Sequence, residues 1–427
     1  MFRSVAALAA SLLGATSALA APTYIHAGKL IAVPGQPVRG ASTIVVDDGR
    51  IVSVLEGHVP APEGSPVIDL KTRTVLPGLI DAHVHLASDR GGNEGLAAAM
   101  TDSVPLKAHE AYWNGMKTLR AGFTTVRNLG DDGGKVLALK EASRRGWLMA
   151  PRIIDAGESI STTGGHMDGR VGLADHLHGA YDTENLCDGP DDCRRAVRRQ
   201  IGRGADVIKF ATTGGVNSGT GLATRMDEDE ARALVETAHA YGRKVAVHAH
   251  GAAGIKLAVR AGADSVEHGT VMDDEILKLM KEKRTFYVPT LSTVNGYLER
   301  LAANPNAYPP AIKAQIDWRI GITGKSLQQA YPAGIRIAYG TDAGVSKHGR
   351  NADEFELLVK FGMPPAEAIK AATVNAAELL GVDKETGTIE PGKAADIIAV
   401  DGDPLADVRV LKAMKFVMAR GQVVVAP

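Results

Sequence analysis

The sequence predicts an α/β fold: a (β/α)8 TIM-like barrel with a small β-sandwich domain built from both chain ends. Three observations lead there. Eight strand-like runs lie between Leu79 and Asp342, amphipathic helical stretches separate several of them, and both ends of the chain carry short strand-like runs broken by Gly, Pro and Asp. Repeated βα units favour a parallel sheet, and eight of them favour a closed barrel. A doubly wound sheet is the competing reading. It calls for a glycine-rich phosphate turn after its first strand, and DAHVHLASD is not one.

The elements can be justified in order. Residues 1–20, MFRSVAALAASLLGATSALA, hold Arg3, an apolar run from Val5 to Leu13 and the small-residue end Ala18-Leu19-Ala20. That is the pattern of a cleaved secretory signal peptide. The apolar run is shorter than the roughly 20 residues of a membrane span. The expectation is export to the periplasm or the medium, with no membrane attachment after cleavage. Residues 21–76 contain TYIHAGKLIAV, STIVVDDGRIVSV and SPVIDL, with a hairpin signal at Asp47-Asp48-Gly49. Residues 385–427 have the same texture, and the two ends are expected to pair into one β domain. Residues 77–384 are then the barrel. Its strands are LIDAHVHL (79–86), TTVRNL (124–129), RIIDAG (152–157), DVIKFA (206–211), KVAVHAH (244–250), SVEHG (265–269), TFYVPT (285–290) and RIAYGTD (336–342). Helices are clearest at DEDEARALVETAHAYG, where Asp227 precedes an apolar-periodic run and Gly242 follows it, and at GAAGIKLAVRAGA.

Composition narrows the function. The 427 residues include 48 basic and 49 acidic side chains, so no charge excess points to nucleic acid or an anionic membrane surface. The only cysteines, Cys187 and Cys193 in CDGPDDC, are too few for a Cys-only zinc site. In an oxidising compartment they can pair.

Ionisable residues crowd the carboxyl ends of the strands: His83, His85, Lys209, His248, His250, His268 and Asp342. Taken singly, each has an ordinary explanation: a packed histidine, a lysine reaching solvent, an aspartate capping a helix. Gathered at equivalent strand ends, they mark the rim where barrels build active sites. Imidazoles and a carboxylate suit a borderline divalent ion such as zinc, and the set exceeds what one tetrahedral ion takes, so two ions are expected. Such an ion lowers the pKa of bound water from 15.7 to about 7. Lys209 would serve either as a buried neutral amine or as a carbamate bridging both ions.

PGLIDAHVHL, DVIKFATTGGV, VAVHAHG, SVEHGT, YGTDAG and the tail TVNAAELLGVDKETGTIEPGKAADIIAVDGDPL together resemble the amidohydrolase superfamily of metal-dependent hydrolases, in its imidazolonepropionase-like branch. Within that branch the chain is most similar to the carboxypeptidase- or prolidase-like dipeptidases and the ochratoxinase type of amide hydrolase. The resemblance spans nearly the whole chain after the leader. It implies two zinc ions bridged by carbamylated Lys209, the more buried held by His83, His85 and Asp342, the more exposed by His248 and His268. It also implies a homo-oligomer, with an octamer as one form. Where the superfamily commonly has an acidic residue two positions after the fifth-strand ligand, this chain has His250. His248 is therefore assigned to metal and His250 to substrate, with the swapped roles as the alternative, since both side chains face the pocket.

The reaction expected is hydrolysis of a small-molecule amide or dipeptide next to a free carboxylate, ochratoxin A included. Asp342 would take the proton of the attacking water and return it to the leaving nitrogen. His166, in STTGGHMDG, would stabilise the oxyanion and contact substrate. Ser88 and the loop TTGGVNSG (212–219) are further lining candidates, and Asp81 is read as an orienting residue. A carboxylate needs a cation, for which Arg170, Arg225 and Lys347 are the candidates. A cyclic amide hydrolase, lactonase or deaminase on the same scaffold is the alternative enzyme. A metal-binding protein is the non-enzyme alternative.

Overall fold

A computed structural model describes residues 21–131, 133–181, 183–218 and 220–427; the signal-peptide reading falls outside them. The amino-terminal part supplies β1 (Thr23–Leu30), β2 (Ser42–Asp47), β3 (Arg50–Glu56) and β4 (Val67–Pro77). The middle supplies β5 (Leu79–Val84), β6 (Phe123–Asn128), β7 (Arg152–Asp155), β8 (Val207–Ala211), β9 (Lys244–Ala249), β10 (Ser265–His268) and β11 (Phe286–Val288). The carboxyl end supplies β12 (Ile397–Val400), β13 (Phe416–Ala419) and β14 (Gln422–Val425).

The two chain ends do meet. They form one seven-stranded sheet in the order β14-β13-β12-β4-β1-β2-β3. The joint is β12 against β4, antiparallel, with Ile398 opposite Leu76. Because these strands hydrogen-bond side by side, the ends extend a single sheet. The second, stacked sheet that a sandwich requires is not found among the described residues. Ile25, Ile44, Val75, Ile397 and Phe416 bury its apolar face. The β2–β3 hairpin turns through Asp48 (φ 43°) and Gly49 (φ 74°), the paired positive φ values of a type I′ turn.

The middle strands run parallel in two ladders, β5-β6-β7 and β11-β10-β9-β8. Single parallel bridges span the gaps: Ile160 to Phe210, Tyr287 to Ile337, and Ala343 to Val84. A barrel closed by continuous ladders is therefore not formed, and the expected eighth strand, 336–342, builds no ladder. Its backbone still bonds both neighbours: Tyr287 N–H of β11 donates to Arg336, Ala338 N–H donates to Tyr287, and Asp342 N–H donates to His83 of β5. Tyr339 N–H donates to Ala371, while the Tyr339 carbonyl accepts from Ala82. Asp342 then turns into the left-handed region at φ 56°. The segment still passes between β11 and β5, which is what the site requires of it.

Every residue of β8 and β10 is buried, as expected for parallel strands covered on both faces. The covering helices start and stop where local chemistry dictates. Helix Glu228–Ala240 begins at Asp227, whose backbone N–H donates to the Glu230 carboxylate at 2.8 Å. Helix Ala252–Ala261 ends at Gly262, φ 99°. No helix among the described residues is long and apolar enough to cross a membrane.

Cys187 and Cys193 are joined as a disulfide across a sequence separation of 6, where the long loop after β7 enters helix Pro190–Arg203. Closing so short a loop is worth about 2 kcal/mol of chain entropy. Cys193→Ala is accordingly expected to lower the stability to thermal or denaturant unfolding by that order. An unchanged unfolding midpoint would show that the loop is held by its hydrogen bonds alone.

Candidate metal centre and active site

The strand ends place their side chains around one cavity of about 110 Å³, lined by His83, His85, His166, Lys209, His248, His250, His268 and Asp342 among others. Strand pleating explains the pairs: residues i and i+2 face the same way, so His83 with His85, and His248 with His250, enter the cavity together. Two groups of three lie close enough to share an ion, His83–His268–Asp342 and His248–His250–His268, with ligand atoms within 4.8 Å of one another. His268 belongs to both. His268 (φ 69°), Thr290 (φ 48°) and Asp342 (φ 56°) all adopt left-handed backbone at these ends. Each costs about 1–3 kcal/mol in a non-glycine residue, strain that concentrates at functional sites.

Hydrogen bonds fix several ring tautomers. His83 Nδ1 lies 2.8 Å from Glu267 Oε2, so Nδ1 carries the proton and Nε2 the lone pair. That Nε2 is buried with no hydrogen-bonding partner among the described residues. His85 Nδ1 donates to the Gly130 carbonyl at 3.1 Å, which leaves its Nε2 facing Asp342 Oδ1 at 3.3 Å. His248 is turned the other way. Its Nε2 donates to the Gly214 carbonyl at 3.2 Å, so Nδ1 has the lone pair. His250 Nδ1 pairs with Thr270 Oγ1 at 2.7 Å and His268 Nδ1 with Thr290 Oγ1 at 2.8 Å.

The electrostatics favour unprotonated ligands. Burial pushes His83 down to about 4 and drives His248, His250 and His268 well below the usual imidazole range. Burial pushes the Asp342 carboxyl up, but the facing His83, His85 and Lys209 outweigh it and hold it below its ordinary value. Lys209 is 1% exposed, and burial lowers its amine to about 8. At neutral pH a usable fraction is therefore the free amine, the nucleophilic form that CO2 needs to make a carbamate. Beneath the site, Arg127 Nη2 donates to Glu267 Oε1 at 2.8 Å. Burial would raise Glu267, yet Arg127 and His83 bring it down to about 2. This pair fixes His83 as outer-shell partners fix metal-binding histidines.

Several of the expected residues have surroundings that motif reading did not give. The rings of His250 and His248 both close on His268, at 4.8 and 4.5 Å between centroids. The pleat that carries one into the ligand group carries the other. Ser88 does not line the cavity; its Oγ accepts from Arg90 N–H at 3.1 Å instead. The cation candidates are also engaged elsewhere. Arg170 forks onto Asp168, Arg225 binds the Thr220 carbonyl, and Lys347 pairs with Asp89.

His166 lines the same cavity. The His166 ring lies 4.3 Å from that of His248, with Nδ1 3.0 Å from Ser218 Oγ, and burial holds it down to about 4, hence neutral. Asp81 accepts from the backbone of His83 and Thr341 and from Asn351 Nδ2, tying β5 to the 336–342 segment. Glu267, Arg127 and Arg319 were missed by motif reading. Each carried a signal, a charged residue at a position the periodicity marks as buried.

Gly215 sets the His166 ring. A Cβ there would lie 2.0 Å from His166 Cε1, so Gly215→Ala must displace the imidazole. Turnover is expected to fall about 100-fold, the cost of a misplaced group near the reacting centre. The unfolding midpoint should stay put. Unchanged kcat/KM would remove His166 from the site.

Comparison with known proteins decides the family. Residues 74–424 match the amidohydrolase family model. The chain belongs to the amidohydrolase family. This amidohydrolase is 33% identical over 418 residues to ochratoxinase of Aspergillus niger, covering 92% of this chain and 84% of that protein. Its fold superposes on a Xaa-Pro dipeptidase with bound methionine at a TM-score of 0.89, with 39% identity, 94% of this chain and 99% of that one covered. A prolidase complexed with N-methylphosphonate-L-proline superposes at 0.85, with 31% identity over 95% and 100% of the two chains. These neighbours imply a TIM-barrel fold and a hydrolase acting on C–N bonds. The donor set fits the divalent metal its family generally binds: neutral imidazoles, an ionised carboxylate and the orphaned His83 Nε2 converge on one cavity.

Proposed function

We propose that this amidohydrolase cleaves an amide or peptide bond next to a free carboxylate, as a dipeptidase or carboxypeptidase that also hydrolyses ochratoxin A to ochratoxin alpha and phenylalanine. One observation carries the reading: Lys209, Asp342 and the histidines of β5, β9 and β10 converge on the same cavity. The methionine and the phosphonate-proline of the two structural neighbours are both amino-acid ligands with a carboxylate, which supports the substrate class.

In this reading His83, His85 and Asp342 would hold one zinc ion and His248 and His268 a second, with Lys209, as its carbamate, available to both. His250 is kept as a substrate contact that also reaches the second ion's ligands. Such ions, when bound, supply Lewis-acid polarisation and an acidified water. The protein's own share is proton handling. Asp342, ionised at neutral pH, accepts the proton of the attacking water and delivers it to the leaving nitrogen. His166, a neutral imidazole, donates one ring N–H to the developing oxyanion.

Export remains our reading of residues 1–20. The Cys187–Cys193 disulfide supports it, since disulfides persist in oxidising compartments. A homo-oligomer is likewise proposed.

A product assay separates the rivals. The enzyme reconstituted with zinc and bicarbonate is expected to release free amine from N-acyl amino acids and dipeptides and to leave lactones and imidazolone-type rings intact. Turnover of the rings or lactones alone would move the assignment to a cyclic amide hydrolase or lactonase. Ammonia release from an aminated ring would indicate a deaminase.

A further inference from the structure

We propose that Arg319 is the receptor for the substrate's free carboxylate; the inference rests on the amide-hydrolase reading and names the group that makes it specific. Arg319 sits on helix Pro310–Gly321, on the buried face with Ile312 and Ile316. It is 3% exposed and lines the same cavity as the ligand groups.

Its partners within the chain are weak and uncharged. Nη1 donates to Thr323 Oγ1 at 3.0 Å, and Nη2 reaches the Thr290 carbonyl at 3.5 Å. No carboxylate pairs with it among the described residues. A guanidinium has five N–H donors and a permanent charge, and burying it without a counter-ion is costly. The contrast within the same protein is direct: Arg127, equally buried, is neutralised by Glu267 at 2.8 Å. Arg319 is left to be neutralised from outside, by an anion that enters the cavity.

The surroundings define that anion's carrier. Thr290, whose carbonyl faces Arg319, pairs through its hydroxyl with His268 Nδ1 at 2.8 Å, so the guanidinium lies on the side of the cavity next to His268. Val216, Tyr297 and Val345 line the same cavity and give it apolar walls. A carboxylate forked on Arg319 would hold the adjacent amide against the ligand cluster, with an apolar side chain against those walls. The acceptor class is therefore an N-acyl amino acid or dipeptide with its terminal carboxylate free.

The test compares N-acetyl-L-phenylalanine with its primary amide, N-acetyl-L-phenylalaninamide, on the reconstituted full chain. The wild type should prefer the acid. Arg319→Met should cut kcat/KM for the acid by at least about 100-fold, mainly through KM, while leaving the amide nearly unchanged. Arg319→Lys, which keeps charge but loses the fork, should fall between. Equal loss on both substrates, or an intact preference for the acid, would reduce Arg319 to a structural role. Calorimetry supplies a readout without turnover: L-phenylalanine should bind the wild type and L-phenylalaninamide should not. Equal affinities overturn the assignment even if Arg319→Met fails to fold. Carboxylate-dependent binding with no hydrolysis of either substrate would keep Arg319 as the anion site while defeating the hydrolase reading.

Discussion

Asp342→Asn is expected to lower kcat by about 100- to 10,000-fold, the range that positioned acid–base catalysis supplies. Asparagine preserves the shape of the side chain and one oxygen acceptor, but it cannot take a proton. It also tolerates the left-handed backbone that position 342 adopts at φ 56°, so the local fold should survive. The wild-type carboxylate is poised for the task. Its Oδ1 stands 3.3 Å from His85 Nε2 and 3.5 Å from His83 Nε2, and although burial pushes it up, the carboxyl stays below its ordinary value and is ionised at neutral pH. Steady-state kinetics with circular dichroism will check this. A folded Asp342→Asn enzyme with wild-type kcat would mean that the proton travels elsewhere.

Lys209→Ala should remove metal and activity together. Lys209 is among the largest fully buried side chains, and no acidic residue forms an ion pair with it among the described residues. An ammonium in that position would repel the cations that the surrounding imidazoles are built to hold. The same residue as a carbamate adds two oxygens and a negative charge. Alanine offers neither, so metal content is expected to fall from about two ions per chain to one or none. Turnover should drop at least about 100-fold, the cost of losing a single oxyanion donor. Elemental analysis after dialysis against zinc measures the first quantity. Retention of both ions by the variant would end the bridging role.

Much of this site was legible because strand periodicity is rigid. HVH and HAH could only project as pairs, and EHG put His268 at the end of its strand. What the sequence concealed was tertiary. His248 and His250 look unequal along the chain, since only one has a spacing partner, yet the ring of His268 meets both. The segment 336–342 reads as a strand by composition and does bond β11 and β5 on either side, but Tyr339 N–H turns to Ala371 and Asp342 leaves the extended region, so no continuous ladder forms. Both chain ends read as sheet, and only the side-by-side pairing of β4 and β12 reveals that they extend one sheet. Arg319 was hidden most thoroughly. The rim arginines lie near the motifs, whereas the cavity arginine comes from a helix far along the chain, where Ile312, Ile316 and Arg319 share a face.

The most direct measurement is phenylalanine release from ochratoxin A, followed in parallel for enzyme reconstituted with zinc and bicarbonate and for the same enzyme after chelation. Steady release by the first and none by the second is the expected result. Equal release by both, or no release from this or any other N-acyl amino acid by the reconstituted enzyme, would contradict it.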